Sequence, residues 1–294
     1  LGLGSQRREI LVYDGGYWYK DRELFEAIKN SNIDNLILPH ALKQEIREDL
    51  ARFFAARDTY ERYGIPWKRG ILLIGPPGNG KTHAVKALIN ETRKACLYVK
   101  SFKACWGTEH DSICRVFKQA RRTTPCIVVL EDLDSLIDKS NRSFFLNELD
   151  GFAENTGVVI LATTNHPDQI DSAIIDRPSR FDRKYFFELP SRAGRRIYFE
   201  RWQGSVDPDL RLPPDSLSKA AAMTDGFSFA YLKELCLSAM MSWMSDRTRP
   251  MEEVLFATAE ILLKEVNRGE QSGKKRKSKR KKTMAASAGC EHWS

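Results

Sequence analysis

No Cys-x-x-Cys pair occurs in this chain of 294 residues, although six cysteines are present. Cys96, Cys105, Cys114, Cys126, Cys236 and Cys290 thus outline no disulfide framework, and reduced thiols in an intracellular protein are expected. Cys126 opens a strand-like run and Cys236 falls in a helical pattern, so both read as small buried hydrophobes. The five histidines are scattered and give no zinc-ligand spacing. Long apolar runs are missing too. Stretches such as Ile71 to Ile74 and Val158 to Ala162 are far short of a membrane span. Leu1 to Glu9 lacks the charged start and apolar stretch of a signal segment. The chain begins at Leu1 and not at Met, so an upstream targeting or membrane segment stays open.

A bulk excess of positive charge is also missing from the body. The formal net charge is +8, but residues 274 to 282 read KKRKSKRKK, eight basic residues in nine positions. Without them, 39 basic residues face 39 acidic ones. A balanced body argues against bulk phosphate neutralisation by nucleic-acid binding. The tail itself reads as a nuclear import signal, an RNA-binding arm or a solvated segment. No amphipathic helix adjoins it to suggest a membrane surface.

What is present is enough apolar content, 42%, for one large domain or two smaller ones. Four regions separate. Residues 1–66 form a lead-in: a strand-like Ile10 to Tyr19 with a Gly15-Gly16 turn signal, then two helical patterns. The second of these, His40 to Tyr63, puts Leu42, Ile46, Leu50, Phe53 and Phe54 on one helical face. Residues 67–190 alternate short strands with helices, which predicts an α/β parallel sheet with helices on both faces. Its strands are expected at Ile71–Ile74, Leu97–Val99, Ile127–Leu130, Val158–Ala162 and Lys184–Leu189. Residues 191–270 read as a small all-helical subdomain, and 271–294 as a basic tail too poor in apolar residues to fold alone.

Gly75-Pro76-Pro77-Gly78-Asn79-Gly80-Lys81-Thr82 fits G-x-x-x-x-G-K-[ST] between a strand and a helix, the setting of a phosphate-binding P-loop. Glycines let backbone N–H groups face phosphate oxygens, and the helix start adds its positive end. Lys81 is expected on the β- and γ-phosphates of ATP, and the Thr82 hydroxyl on Mg²⁺. Ile127 to Asp132 reads IVVLED, an apolar strand ending in carboxylates, expected on the strand beside this loop. Glu131 would hold the metal's water shell and Asp132 would polarise the attacking water. The usual order is Asp then Glu, so the base is one methylene shorter unless the backbone shifts. Asp134 is a third carboxylate nearby. Asn165, just past Val158 to Thr164, could position water or the γ-phosphate.

Taken in order, GPPGNGKT, IVVLEDLDSL, LATTN and RPSRFDR resemble the motifs of AAA ATPases, across Tyr63 to Ala239. The nearest flavour is fungal-type AAA ATPases and the subgroup of the mitochondrial Rieske-protein translocase, to which Tyr63 to Gly70 and Glu131-Asp132 are similar. The resemblance implies a P-loop NTPase sheet with a helical lid and Mg²⁺-dependent ATP hydrolysis. It further implies self-assembly into a ring, a hexamer, that remodels or translocates an unidentified protein. It makes Arg177 and Arg180 the guanidiniums that act on a neighbouring subunit's nucleotide, with intrachain pairs to Asp176 and Asp182 as the alternative. Asp176 lengthens that segment by one residue, and Phe229 stands where the lid helix usually has Gly. Cys105-Trp106-Gly107 lies where the family carries an aromatic pore loop; a core or interface Trp is the other reading. A nucleotide switch or assembly scaffold with weak hydrolysis is the alternative function. The expected location is the nucleus or cytoplasm, or the mitochondrion if an upstream segment exists.

Overall fold

Apolar runs legible as strands form the middle of one sheet in the computed structural model, which describes residues 10–150, 155–175, 177 and 179–266. The basic run and residues 267–270 of the expected helical subdomain lie outside the described residues. So do Asp176 and Pro178.

The described chain opens with an antiparallel hairpin, β1 (Ile10–Gly15) and β2 (Tyr17–Asp21), turning at Gly16. Helix α1 (Arg22–Lys29) follows, capped by the Asp21 carboxylate, which accepts from the Leu24 N–H at 2.8 Å. Next come α2 (His40–Ala55) and α3 (Arg57–Arg62). One helix was expected from His40 to Tyr63; the structure interrupts it at Ala56. The break brings Tyr60 edge-on to Phe53, with ring centroids 5.9 Å apart. Seven residues along an unbroken helix would separate them by about 10 Å. Phe53 also stacks on Trp67, so the break completes an aromatic cluster.

The central alternation follows: β3 (Lys68–Ile74), α4 (Lys81–Thr92), β4 (Ala95–Ala104), α5 (Glu109–Thr123) and β5 (Cys126–Leu130). Then come α6 (Leu133–Leu136), α7 (Arg142–Asp150), β6 (Val158–Thr164), α8 (Ser172–Ile175) and β7 (Arg183–Phe186). The strand order is β2-β1-β4-β5-β6-β3-β7, parallel except for β2. Strand β6 therefore lies between β3 and β5. The acidic strand is not the immediate neighbour of the phosphate-loop strand, as expected above, but one strand further.

Strands β5 and β6 are buried along their whole length, as strands covered on both faces must be. The period of two divides their residues between two cores. Leu73, Val129 and Leu161 face a core shared with α2 and α4, including Ile46, Leu50 and Ala84. Leu72, Val128 and Ile160 face one shared with α5 and α7, including Val116, Phe117 and Phe145. This is the expected α/β sheet with helices on both faces.

The chain divides into two compact units, Leu1–Glu188 and Leu189–Ser294. In the second, α9 (Arg192–Gln203), α10 (Pro214–Met223), α11 (Phe229–Ser245) and α12 (251–266) enclose a separate core around Phe199, Phe227 and Leu235. Arg195 is buried there, donating to the Ala221 and Pro190 carbonyls and pairing with Asp225 at 3.0 Å. No helix of the described residues is long and apolar enough to cross a membrane.

Candidate active site

Strand β3 delivers the chain to its loop with Ile74 opposite Thr164 of β6, and the Gly75 N–H donates to the Thr164 carbonyl at 3.3 Å. A Cβ at Gly75 would lie 2.1 Å from the Phe187 carbonyl oxygen, so only glycine lets the chain leave the sheet there. Gly78 and Gly80 hold left-handed φ of 78° and 89°, which L side chains rarely adopt. Gly80 caps α4 through its backbone alone, with no side chain on the first-turn N–H groups. An uncapped start of a twelve-residue helix is an anion site by charge and by open donors. Pro76 is half-buried, Asn79 is buried, and Pro77 and Thr82 are exposed.

Lys81 is buried at the base of this loop, where its ammonium donates to the Gly75 carbonyl at 2.6 Å and the Pro76 carbonyl at 2.9 Å. Burial lowers its pKa, and the Asp132 and Asp134 carboxylates oppose that shift. The loop's own oxygens thus occupy the cation that phosphate oxygens would take.

The carboxylates arrive from β5. The Tyr98 hydroxyl on β4 donates to Glu131 Oε2, and burial pushes the Tyr98 phenol up, keeping its proton in place. The other oxygen, Glu131 Oε1, is shut off from solvent and accepts no hydrogen bond. Asp132 adopts φ 50°, a left-handed value. Its N–H donates to Thr163 Oγ1 at 3.0 Å, and Asn165 Nδ2 donates to its Oδ1 at 2.7 Å. Thr164 Oγ1 donates to Asp134 Oδ1 at 2.7 Å. Residues from β5 and β6 thus converge at the end of the sheet where β3 meets its loop. Sequence reading missed Tyr98, Thr163 and Thr164. Only the parallel register, Val99 opposite Leu130, brings Tyr98 to the acidic end of β5.

These groups fit a nucleotide with its metal ion. The uncapped helix start and the loop amides suit phosphate, and the orphaned Glu131 Oε1 suits a hydrated cation.

Arg177 and Arg180 are not brought to this chain's own loop. Both pair with Asp150 at the end of α7, and neither pairs with Asp182, which instead takes the Gly70 N–H and Arg69. Arg180 is held on both Asp150 oxygens, at 3.0 and 2.6 Å, and also donates to the Ala173 carbonyl. Its side chain is 7% exposed, against 59% for Arg177. The Arg180 carbonyl abuts Gly70, where a Cβ would come within 1.8 Å, near the start of β3. Gly70 and Gly75 lie five residues apart on an extended strand, about 16 Å. A cleft of about 310 Å³ opens at this far end, lined by Tyr60, Ile65, Arg69 and Arg180, away from the phosphate loop.

Trp106 sits on the loop between β4 and α5 and is 88% exposed, so it is not a core residue. Leaving so large a ring in water forgoes about 2–3 kcal/mol of burial.

Residues 71–189 match the sequence model for "ATPase family associated with various cellular activities (AAA)". The chain is 32% identical over 241 residues to the ATP-dependent zinc metalloprotease FtsH of Acaryochloris marina, covering 76% of this chain and 36% of that protein. It is 33% identical over 239 residues to the ATPase family protein 2 homolog of Caenorhabditis elegans, covering 76% and 33%. It is 32% identical over 183 residues to the ribosome biogenesis ATPase RIX7 of Saccharomyces cerevisiae, covering 58% and 22%. The chain therefore spans about a third or less of the length of these curated relatives. Lys81, Glu131, Asp132, Asn165, Arg177 and Arg180 all fall within the matched stretch, and the chain belongs to the AAA family of ATPases.

Proposed function

We propose that this chain is the motor of an oligomeric, Mg²⁺-dependent ATPase, a hexameric ring in our reading, that remodels or threads protein substrates. The observation that carries the ATPase part is the meeting of three groups at one sheet end: the uncapped start of α4, the half-satisfied Glu131 and the Asp132–Asn165 pair. When bound, Mg²⁺ would neutralise phosphate charge and orient the β- and γ-phosphates. The chain's residues do the remainder. Loop amides and Lys81 hold the phosphates, with Lys81 exchanging the Gly75 and Pro76 carbonyls for phosphate oxygens. Thr82 and Glu131 hold the hydrated metal. Asp132 accepts a proton from the attacking water, and Asn165 fixes the direction of that carboxylate. The strand's length between Arg180 and the loop favours action on a neighbouring subunit. Arg177, the exposed member, is the residue that reaches across, and Arg180 anchors the segment on Asp150.

Turnover of Mg²⁺-ATP by the purified chain and its Lys81→Ala, Asp132→Asn and Arg177→Ala variants tests this. Each variant is expected to lose most of the activity, and wild-type turnover in all three would sink the assignment. A second reading, a nucleotide switch with weak hydrolysis, draws on the shortened base Asp132 at its left-handed backbone. Single-turnover kinetics separate the two, because fast γ-phosphate release rules out a pure switch.

A further inference from the structure

We propose that Arg69 is a positioning residue for ATP turnover on the neighbouring subunit: set on the buried Asp49, it holds Asp182 and thereby fixes the turn that carries Arg177 and Arg180. The inference rests on the reading of Arg177 as the residue that reaches across, and adds what places it.

The arginine turn leads straight into an edge of the sheet. The Arg180 N–H closes it on the Arg177 carbonyl at 3.1 Å, and the chain then enters β7 at Arg183. Strand β7 is the last of the sheet and is bonded to β3 alone, from Ile71 opposite Arg183 onwards. A ladder on one side only leaves much of the placement to side chains. Asp150 takes the two guanidiniums. Downstream of them, Asp182 Oδ1 accepts from the Gly70 N–H at 2.9 Å, and its Oδ2 lies 3.1 Å from Arg69 Nε. Arg183 reaches Asp49 at 3.5 Å. Gly70 lies against the Arg180 carbonyl, so residues 180–183 are seated along the first residues of β3.

Arg69 is itself held at each nitrogen. Its Nη1 donates to Asp49 and its Nη2 to the Tyr60 hydroxyl at 3.3 Å, which leaves Nε for Asp182. The guanidinium carbon stands 5.6 Å from the centre of the Phe53 ring. The helix break at Ala56 is what brings Tyr60 to this place. A planar fork with fixed contacts sets the direction of the carboxylate it meets, whereas a lysine offers a point charge. Asp49 is 4% exposed. Among the described residues of the first unit the other buried charges are Lys81 in the phosphate loop and Arg180 in the turn. A buried ion pair adds little stability over apolar side chains of the same size, because desolvation offsets its attraction. Placement is what the Asp49–Arg69 pair supplies here. Arg69 is six residues before Gly75, about 20 Å along an extended strand, too far to touch nucleotide on its own loop. Placement matters to rate, since a shift of about 1 Å in a reacting group can cost on the order of a hundredfold.

The test measures Mg²⁺-ATP turnover by the full chain and its affinity for a fluorescent ADP. Arg69→Lys keeps a cation for the buried Asp49, and Asp182→Asn keeps an acceptor for the Gly70 N–H, so both variants spare the fold. Each is expected to lower turnover about tenfold and to leave nucleotide affinity within about twofold of wild type. Mixing chains separates positioning from structure. Each variant mixed with Lys81→Ala chains should exceed the sum of the two rates, and mixed with Arg177→Ala chains should not. Rescue by Arg177→Ala but not by Lys81→Ala would mean that Arg69 acts through its own phosphate loop. Rescue by neither would mean that it only holds the fold. Either result overturns the proposal, as does wild-type turnover in both variants. If Lys81→Ala and Arg177→Ala chains fail to rescue each other, the underlying reading of Arg177 fails, whatever Arg69 does.

Discussion

At the residue scale, the reversed carboxylate order has a structural counterpart. Glu131, one methylene longer than the usual Asp, has one oxygen held by Tyr98 and the other left without a partner. A hydrogen bond from a buried phenol fixes a metal-binding carboxylate much as outer groups fix ligands elsewhere. Tyr98→Phe keeps the ring and removes the donor. It is expected to raise the Mg²⁺ concentration for half-maximal ATP turnover on the order of tenfold. An unchanged Mg²⁺ dependence would show that Glu131 is positioned without Tyr98. Asp150 supplies a pH effect. Hydrogen bonds from Arg180 hold its carboxyl below the usual carboxylate range, with charge from Arg180 and Arg177 adding to them and burial opposing. A group with a lowered folded pKa stabilises fully above its unfolded value, about 4, and loses that contribution as pH falls through the folded value. Asp150→Asn should therefore be less stable than wild type at pH 7 and lose less on acidification. Urea unfolding between pH 3 and 7 measures both slopes.

At the element scale, composition and pattern carried much of the fold. Buried strands such as β5 and β6 are short apolar runs bounded by turn residues, and their type follows from that. The phosphate loop was legible because its glycines answer local backbone needs. Two things were not legible. The break at Ala56 follows from tertiary contact between Tyr60 and Phe53, which periodicity along one helix does not encode. The second is the neighbour of each strand: nothing in β1's residues says that it lies against β4, or that β6 separates β3 from β5. Tyr98 escaped sequence reading for that reason. The cap on α5 can be checked directly. Thr108→Ala removes the side-chain acceptor for the Asp111 N–H and should cost about 1 kcal/mol, read as a lower urea midpoint.

For the whole molecule, the arginine segment and the phosphate loop stand at opposite ends of β3, with Asp150 tying both arginines to the far end. If Arg177 serves a neighbour, two defective chains can repair each other. Mixing Lys81→Ala with Arg177→Ala chains should give more turnover than the sum of the two alone, because some interfaces pair an intact loop with an intact arginine. Strictly additive rates would place the arginine outside the reaction. The same separation also divides loading from spending. On the proposed reading a lone chain keeps its phosphate loop and carboxylates, so its affinity for ATP is expected to stay constant on dilution. If Arg177 acts on a neighbour, a lone chain lacks the guanidinium needed for turnover, and the rate per chain is expected to fall as the protein is diluted. On that reading, below an assembly threshold the molecule would be a charged store that waits for its neighbours.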